Sequence, residues 1–445
     1  MMHRRRFLTL AGAAATTPFL FSQRTSATTS LHITPMTLEL AKGIALKTTG
    51  YNNLAPGPIL RFREGEQVHI DVYNHTQVPE LVHWHGLAID PLNDGAMEEG
   101  SPMIPPGGHL RYSFQPKPSG TRWYHTHTAA NRDLIRATYT GQFGFLYIEP
   151  KHEPGSYDQE IFLAIHHWQP SLFTMGAPMN ANDVMYRYAT FNDKLHTAAE
   201  PIRVRYGQRV LFRLLNASAT EAVQIALPGH RFTVITMDGN PVPQPTSVET
   251  LTLAVGERID AIVQMDSPGI WLLGAVDDAN RTRGLARTIE YAGSTSKPLW
   301  AAPDNANWSY LRFASNAEAP KPDELLTLTF APKPADAEGM QHWTVNGAEY
   351  SQTAPIELHP GKRHRIAFVN ASAEPHPLHL HRHSMELISI GKQRCSGLMK
   401  DILNIPPNTT MEADVIADNP GDSLFHCHQQ LHMDYGFMAL FKYKS

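Results

Sequence analysis

Three stretches of this 445-residue chain align without a gap, and that repeat limits the fold more than any other feature. Leu60-Arg61-Phe62-Arg63-Glu64-Gly65 leads to Asn74, Pro201-Ile202-Arg203-Val204-Arg205-Tyr206-Gly207 leads to Asn216, and Pro355-Ile356-Glu357-Leu358-His359-Pro360-Gly361 leads to Asn370. In each case the Gly stands nine residues before the Asn. Between them run short alternating strands such as Arg209 to Leu215, bounded by Gly, Pro and Asn turns. Helical periodicity is scarce. The expectation is an all-β chain of three consecutive antiparallel sandwiches or barrels. Breaks are expected between Glu149 and Gly155 and in the Ala/Pro-rich stretch Ala301 to Pro322, giving domains 28–152, 153–310 and 311–445.

The residues that follow each Asn separate the three repeats. Nine and eleven positions on, the first has His83 and His85, the third has His379 and His381, and the second has Ile225 and Leu227. At the far end, Trp123-Tyr124-His125-Thr126-His127 matches Leu424-Phe425-His426-Cys427-His428, whereas the middle repeat reads Trp271-Leu272-Leu273-Gly274-Ala275. A strand has period two, so each His-x-His pair points both rings to one face. Two domains facing each other would offer eight imidazoles: His83, His85, His125, His127, His379, His381, His426 and His428. That number suits two or three copper ions. A single histidine would be read as a core or surface residue; four pairs at repeat-equivalent positions are not.

Cys427 lies between His426 and His428 and so points to the opposite face. His432 follows by five residues, close enough for a turn to return it, and His376 is a histidine unique to the third repeat. A thiolate with imidazoles suits an electron-carrying copper. Zinc is disfavoured, because structural zinc sites pair their ligands around a turn and need fewer partners than this chain offers.

The formal charge is −4, which gives no electrostatic case for nucleic acid. There are two cysteines, so if Cys427 binds metal, Cys395 has no disulfide partner. Arg4-Arg5-Arg6-Phe7-Leu8 and the apolar run Leu10 to Phe21 resemble a twin-arginine export signal, with a small-residue cut after Ala27. Removing 1–27 would leave a charge of about −8 and no membrane segment, in a protein delivered to the periplasm or outside the cell.

His83-Trp84-His85-Gly86, Trp123-Tyr124-His125-Thr126-His127, His376-Pro377-Leu378-His379-Leu380-His381 and His426-Cys427-His428 with His432 resemble, in order, the four copper motifs of the multicopper oxidases. The likeness to the three-domain laccases, copper-efflux oxidases and bilirubin oxidases covers essentially the whole mature chain. It implies three cupredoxin-like Greek-key domains and four coppers. His376, Cys427 and His432 would hold the type 1 copper, and His83 and His379 the type 2. His85, His125 and His428 would hold one type 3 copper, and His127, His381 and His426 the other. The implied reaction is one-electron oxidation of a small reducing substrate coupled to reduction of O2 to water.

The same resemblance assigns Asp94 as an acid near the type 2 copper and the oxygen path; the alternative is an ordinary Asp-Gly turn. It places Phe437, a non-ligating ring, at the axial position of the type 1 copper, with Met438 as the alternative. Where some relatives carry a Glu after His432, this chain has Met433 and then Asp434. His166, His167, Trp168 and His383 read as structural. Met175, Met179 and Met185 read as packing residues, with a copper site as the alternative. Residues 383–400 hold only Met385 and Met399, which favours a laccase-like oxidase of phenols and aromatic amines over a cuprous oxidase for copper tolerance. A sandwich protein that has lost its coppers would need missing ligands in the third domain, and none is missing.

Overall fold

Six sheets pair into three sandwiches along the chain. The computed structural model describes residues 28–151, 156–176 and 181–444. The first sandwich sets a sheet of Thr28–Ala41, Ile44–Tyr51, Val68–Asn74 and His109–Phe114 against one of Leu60–Arg63, His83–His85, Gly120–His125 and Phe143–Glu149. A six-stranded and a five-stranded sheet make the second, within 159–291, and again the third, within 324–443. The architecture is all-β and cupredoxin-like, as expected. No helix among the described residues is long and apolar enough to cross a membrane, and the export-signal segment lies outside them.

The sheets are not purely antiparallel. Each sandwich contains two parallel pairs at equivalent places. In the first they are Thr28–Ala41 with Val68–Asn74 and Leu60–Arg63 with Phe143–Glu149. The second has Gln159–Thr174 with Arg209–Asn216 and Ile202–Val204 with Ala286–Tyr291, and the third repeats the pattern. Parallel neighbours cannot be joined by a tight hairpin. The chain crosses between the facing sheets before returning, a connection that strand periodicity does not encode.

The Gly-to-Asn interval has a physical cause. Gly65, Gly207 and Gly361 each adopt φ between 73° and 81°, a turn that a side chain would strain. Each asparagine then ties a corner. The Asn74 amide donates to the carbonyls of Val78 and Ile104, that of Asn216 to Glu221 and Leu253, and that of Asn370 to Glu374 and Pro406, at 2.7–3.0 Å. Each Asn oxygen accepts the backbone N–H two residues on. These corners are buried, so the amide replaces water that the carbonyls would otherwise lack.

The first sandwich has its own core around Leu31, Ile70, Trp84 and Tyr124. A second cluster, including Trp123, Phe145, Trp168 and Leu215, joins it to the middle sandwich, whose core runs on into the last. In the middle sandwich Ile225 lies opposite Ala275, whereas His83 lies opposite His125 and His379 opposite His426. The letter match of Trp271 to Trp123 is therefore two residues out of structural register. Either way, no histidine stands at these positions of the middle sandwich.

Candidate metal centres

The last sandwich gathers one thiol and two imidazoles. Strand Ser423–Cys427 places Cys427 on the face opposite His426, and the following helix Gln430–Asp434 brings His432 back over it. Strand His376–Leu380 supplies His376. The Cys427 Sγ lies 3.8 Å from His376 Nδ1 and 3.5 Å from His432 Nδ1, and the two Nδ1 atoms are 3.2 Å apart. The outer nitrogens are held by the Asn370 corner, since His376 Nε2 is 2.8 Å from Ser372 Oγ and His432 Nε2 is 3.4 Å from the Glu374 carboxylate. Trp343 packs on both rings at 4.6 and 4.4 Å. Phe437 is fully buried with its ring 4.9 Å from that of His376. Met438 is half-buried and pairs with His426, so it lies on the face away from Cys427.

Between the first and last sandwiches, the eight other histidines meet. The rings interleave: His83 stacks on His381 at 3.9 Å and His85 on His379 at 3.8 Å. His83 Nε2 is 3.4 Å from His379 Nε2, His428 Nε2 is 3.3 Å from His85 Nδ1, and His426 Nε2 is 3.1 Å from His381 Nε2 and 3.5 Å from His127 Nε2. Backbone carbonyls engage Nδ1 of His83, His125, His379 and His426, which leaves Nε2 of each facing the shared space. Burial first, then their mutual charge, holds His85, His125, His379, His381, His426 and His428 well below the usual imidazole range, and brings His127 to about 3. Neutral imidazole is the ligating form. His125 Nε2 and His127 Nδ1 are buried with no hydrogen-bond partner. The donor set and its orphaned nitrogens fit copper, and so does the thiol with its two converging imidazoles.

Asp94 ends the short helix Pro91–Asp94, which Asp90 caps by accepting from Leu92 N at 2.8 Å. Gly95 follows at φ 87°, where any Cβ would collide with the Val82 carbonyl. That turn puts Asp94 Oδ2 2.7 Å from His381 Nδ1 and 3.1 Å from His83 Nδ1. Asp94 thus belongs to an Asp-Gly turn and also sets a carboxylate against two of the clustered histidines. Asp434 instead accepts from the backbone N–H groups of Ala130 and Asn131 and from Gln430; burial raises its carboxyl to about 6.

Sequence reasoning missed several neighbours. Glu99 Oε1 is 3.4 Å from His381 Nδ1 and accepts from Leu424 N; burial, then the Asp94 charge, holds its carboxyl well above the usual range. Asp401 touches His85 at 3.0 Å and is clasped by Arg122 and Arg258. Glu374, Ser372 and Trp343 surround the thiol site. Only the spacing of Ser372 and Glu374 from Asn370 gave a signal, through the repeat corner. His166 and His167 are buried in the middle sandwich on Ala217, Ser218 and Asn280. His383 bonds Tyr443 at 2.8 Å. Cys395 is buried and free. Met175 is half-buried and Met185 is 46% exposed, while Met179 lies outside the described residues.

Residues 32–153, 173–293 and 318–445 each match a family described as multicopper oxidase. The chain is 30% identical to multicopper oxidase MmcO of Mycobacterium tuberculosis, over 94% of this chain and 87% of the relative. It is 26% identical to laccase-1 of Fomitopsis schrenkii over 86% and 81%, and 23% identical to copper resistance protein A of Escherichia coli over 86% and 87%. With these matches spanning the histidine-bearing sandwiches and the ligand-free one between them, the chain belongs to the multicopper oxidases, copper oxidoreductases that use O2 as acceptor.

Proposed function

We propose that this enzyme is a laccase-like oxidase of phenols and aromatic amines with four coppers per chain. His376, Cys427 and His432 would form the type 1 site, and His83 and His379 the type 2. His85, His125 and His428 would hold one type 3 ion, and His127, His381 and His426 the other. The observation that supports this reading is the approach of Cys427 to His376 and His432, of His426 to His127 and His381, of His83 to His379 and of His85 to His428, within one buried cluster that also holds His125. Bound copper would supply the one-electron oxidations and the reduction of O2 to water. The chain's part is to hold and connect. Cys427 is bonded through its backbone to His426 and His428, so the two centres share a short covalent path. Asp94 orients His381 and His83, and Glu99 lies beside it, its carboxyl held above the usual range by burial. Phe437 caps the type 1 site and excludes water.

The laccase-like substrate class is supported at 383–400, where two strands, Met385–Ile390 and Gln393–Lys400, are joined by a tight turn with no methionine-rich insert. A cuprous or other metal-ion oxidase is the second reading. It is favoured by Glu374 on the outer nitrogen of His432, by Asp183 within its electrostatic reach, and by the exposed Met185 on the same strand as Asp183. Export on a twin-arginine-type leader at 1–27, delivery to the periplasm or outside the cell, and domain limits at 28–152, 153–310 and 311–445 belong to the same proposal.

Oxygen uptake with phenols, aromatic amines, Cu(I), Fe(II) and Mn(II), on wild type and Glu374→Gln, tests it. Phenols and amines should turn over best and Glu374→Gln should keep most of that rate. Preferential Cu(I) or Fe(II) oxidation, lost on Glu374→Gln, would favour the second reading. Cys427→Ser should lose the blue band and the activity while keeping cluster copper.

A further inference from the structure

The middle sandwich provides no ligand, yet it reaches the cluster through a buried ion network. Arg122 comes from the first sandwich, Asp238, Glu257 and Arg258 from the second, and Lys400 and Asp401 from the third; all are essentially unexposed. Three cations face three anions. Arg258 grips both Asp401 oxygens, at 2.6 and 2.5 Å, and Arg122 adds a contact at 3.3 Å. Lys400 bridges Asp238 and Glu257 at 2.8 Å each.

We propose that Asp401 is a positioning residue for the trinuclear centre, through which Arg258 lets the middle sandwich set the geometry of ligands it does not carry. This rests on the ligand assignment above. Asp401 touches two ligands from different sandwiches. Its Oδ1 is 3.0 Å from His85 Nε2, and its backbone carbonyl accepts from His379 Nδ1 at 2.8 Å. A carboxylate clasped by guanidiniums only accepts, so Nε2 of His85 bears the proton and Nδ1 is left to face His428. His85 is thereby turned the opposite way from His83, His125, His379 and His426. Asp401 is also near enough to share a metal with His85 and His379, but Arg258 already occupies both its oxygens.

Arg258 fixes a second surface of the cluster. Its Nη1 donates to Gly256 O at 2.9 Å, and Gly256, at φ 83°, lies so close to His428 that a Cβ would come within 3.1 Å of the ring. One guanidinium therefore registers a type 3 ligand on each side. A buried ion cluster adds little net stability, but removing one of its members strands a buried charge, so the network holds the junction of three bodies to one arrangement.

The test compares Asp401→Asn with Glu257→Gln in the full-length, copper-loaded protein. Glu257 contacts Lys400 and Tyr310 in the same network but no ligand. The readouts are copper per chain, the EPR-silent fraction of that copper, the blue absorption and the thermal midpoint. Asp401→Asn should drop from about four coppers to about one and lose the EPR-silent pair, while the blue absorption stays. Glu257→Gln should lower the midpoint and keep all the copper. Arg258→Lys, which keeps the charge without the fork, should fall between them and is read in place of Asp401→Asn if that variant does not fold. Wild-type copper and EPR-silent fraction in Asp401→Asn would overturn the proposal, as would copper loss in both variants that merely tracks the midpoint. Wild type binding no more than one copper would instead overturn the ligand assignment, and this proposal with it.

Discussion

The middle sandwich and its two neighbours share a frame but fill it differently. Asn216 ties the same corner as Asn74 and Asn370, and the position nine residues after each Asn falls within the strand that follows. Where the neighbours place buried imidazoles, the middle one places Ile225 and Leu227 in a continuous apolar core. Among its buried charges, Asp238, Glu257 and Arg258 meet Arg122 of the first sandwich and Lys400 and Asp401 of the third. The contrast teaches that the sandwich does not make the metal site. The histidine cluster arises where two sandwiches oppose their His-x-His pairs, and a third body without such pairs still touches its surroundings through Arg258 and Asp401.

The strongest way to break this comparison is to give the middle sandwich its own pair. Ile225→His with Leu227→His buries two polar rings among Val223, Leu251 and Leu273 with no opposing pair to meet them. It should cost on the order of 2–6 kcal/mol and bind no extra copper, read by thermal unfolding and metal analysis. A fifth copper would show that the pair alone suffices. Next in size are the corners. Asn216→Ala and Asn370→Ala should each cost about 1–3 kcal/mol by stranding buried carbonyls. Only Asn370→Ala should also alter the blue absorption, because its loop holds Ser372 and Glu374 against His376 and His432; equal spectra in the two variants would erase the distinction between the corners. The smallest effect is at the cap of the thiol site. Phe437→Met should lower the reduction potential of the type 1 copper, since a thioether stabilises Cu(II), and Met438→Leu should leave it unchanged. Redox titration giving the reverse order would move the axial position to Met438.

Much of this was legible because it is written in period and interval. A His-x-His pair declares its shared face, Cys427 between two histidines declares the opposite one, and the nine-residue Gly-to-Asn interval marks each corner. The contacts of Asp401 were not legible. Its partners His85, Arg122 and Arg258 are 316, 279 and 143 residues away, and no local pattern predicts such pairings. Glu99 was hidden for the same reason, since its partners His381 and Leu424 belong to the last sandwich. The register of the middle sandwich was misjudged because Trp271 and Trp123 share a letter and not a role. Trp123 stacks on His125 at 4.1 Å, whereas Trp271 sits at the strand's outer end against Gly229 and Leu299. The parallel pairs escaped notice because strand alternation is the same whichever way a neighbour runs.

His83 and His379 are 296 residues apart in sequence and 3.4 Å apart at their ring nitrogens. No partial chain can hold that pair, and no single sandwich folding alone can assemble the cluster. Copper bound there would report that the first and last sandwiches of one chain have docked, which a fragment holding either alone could not do.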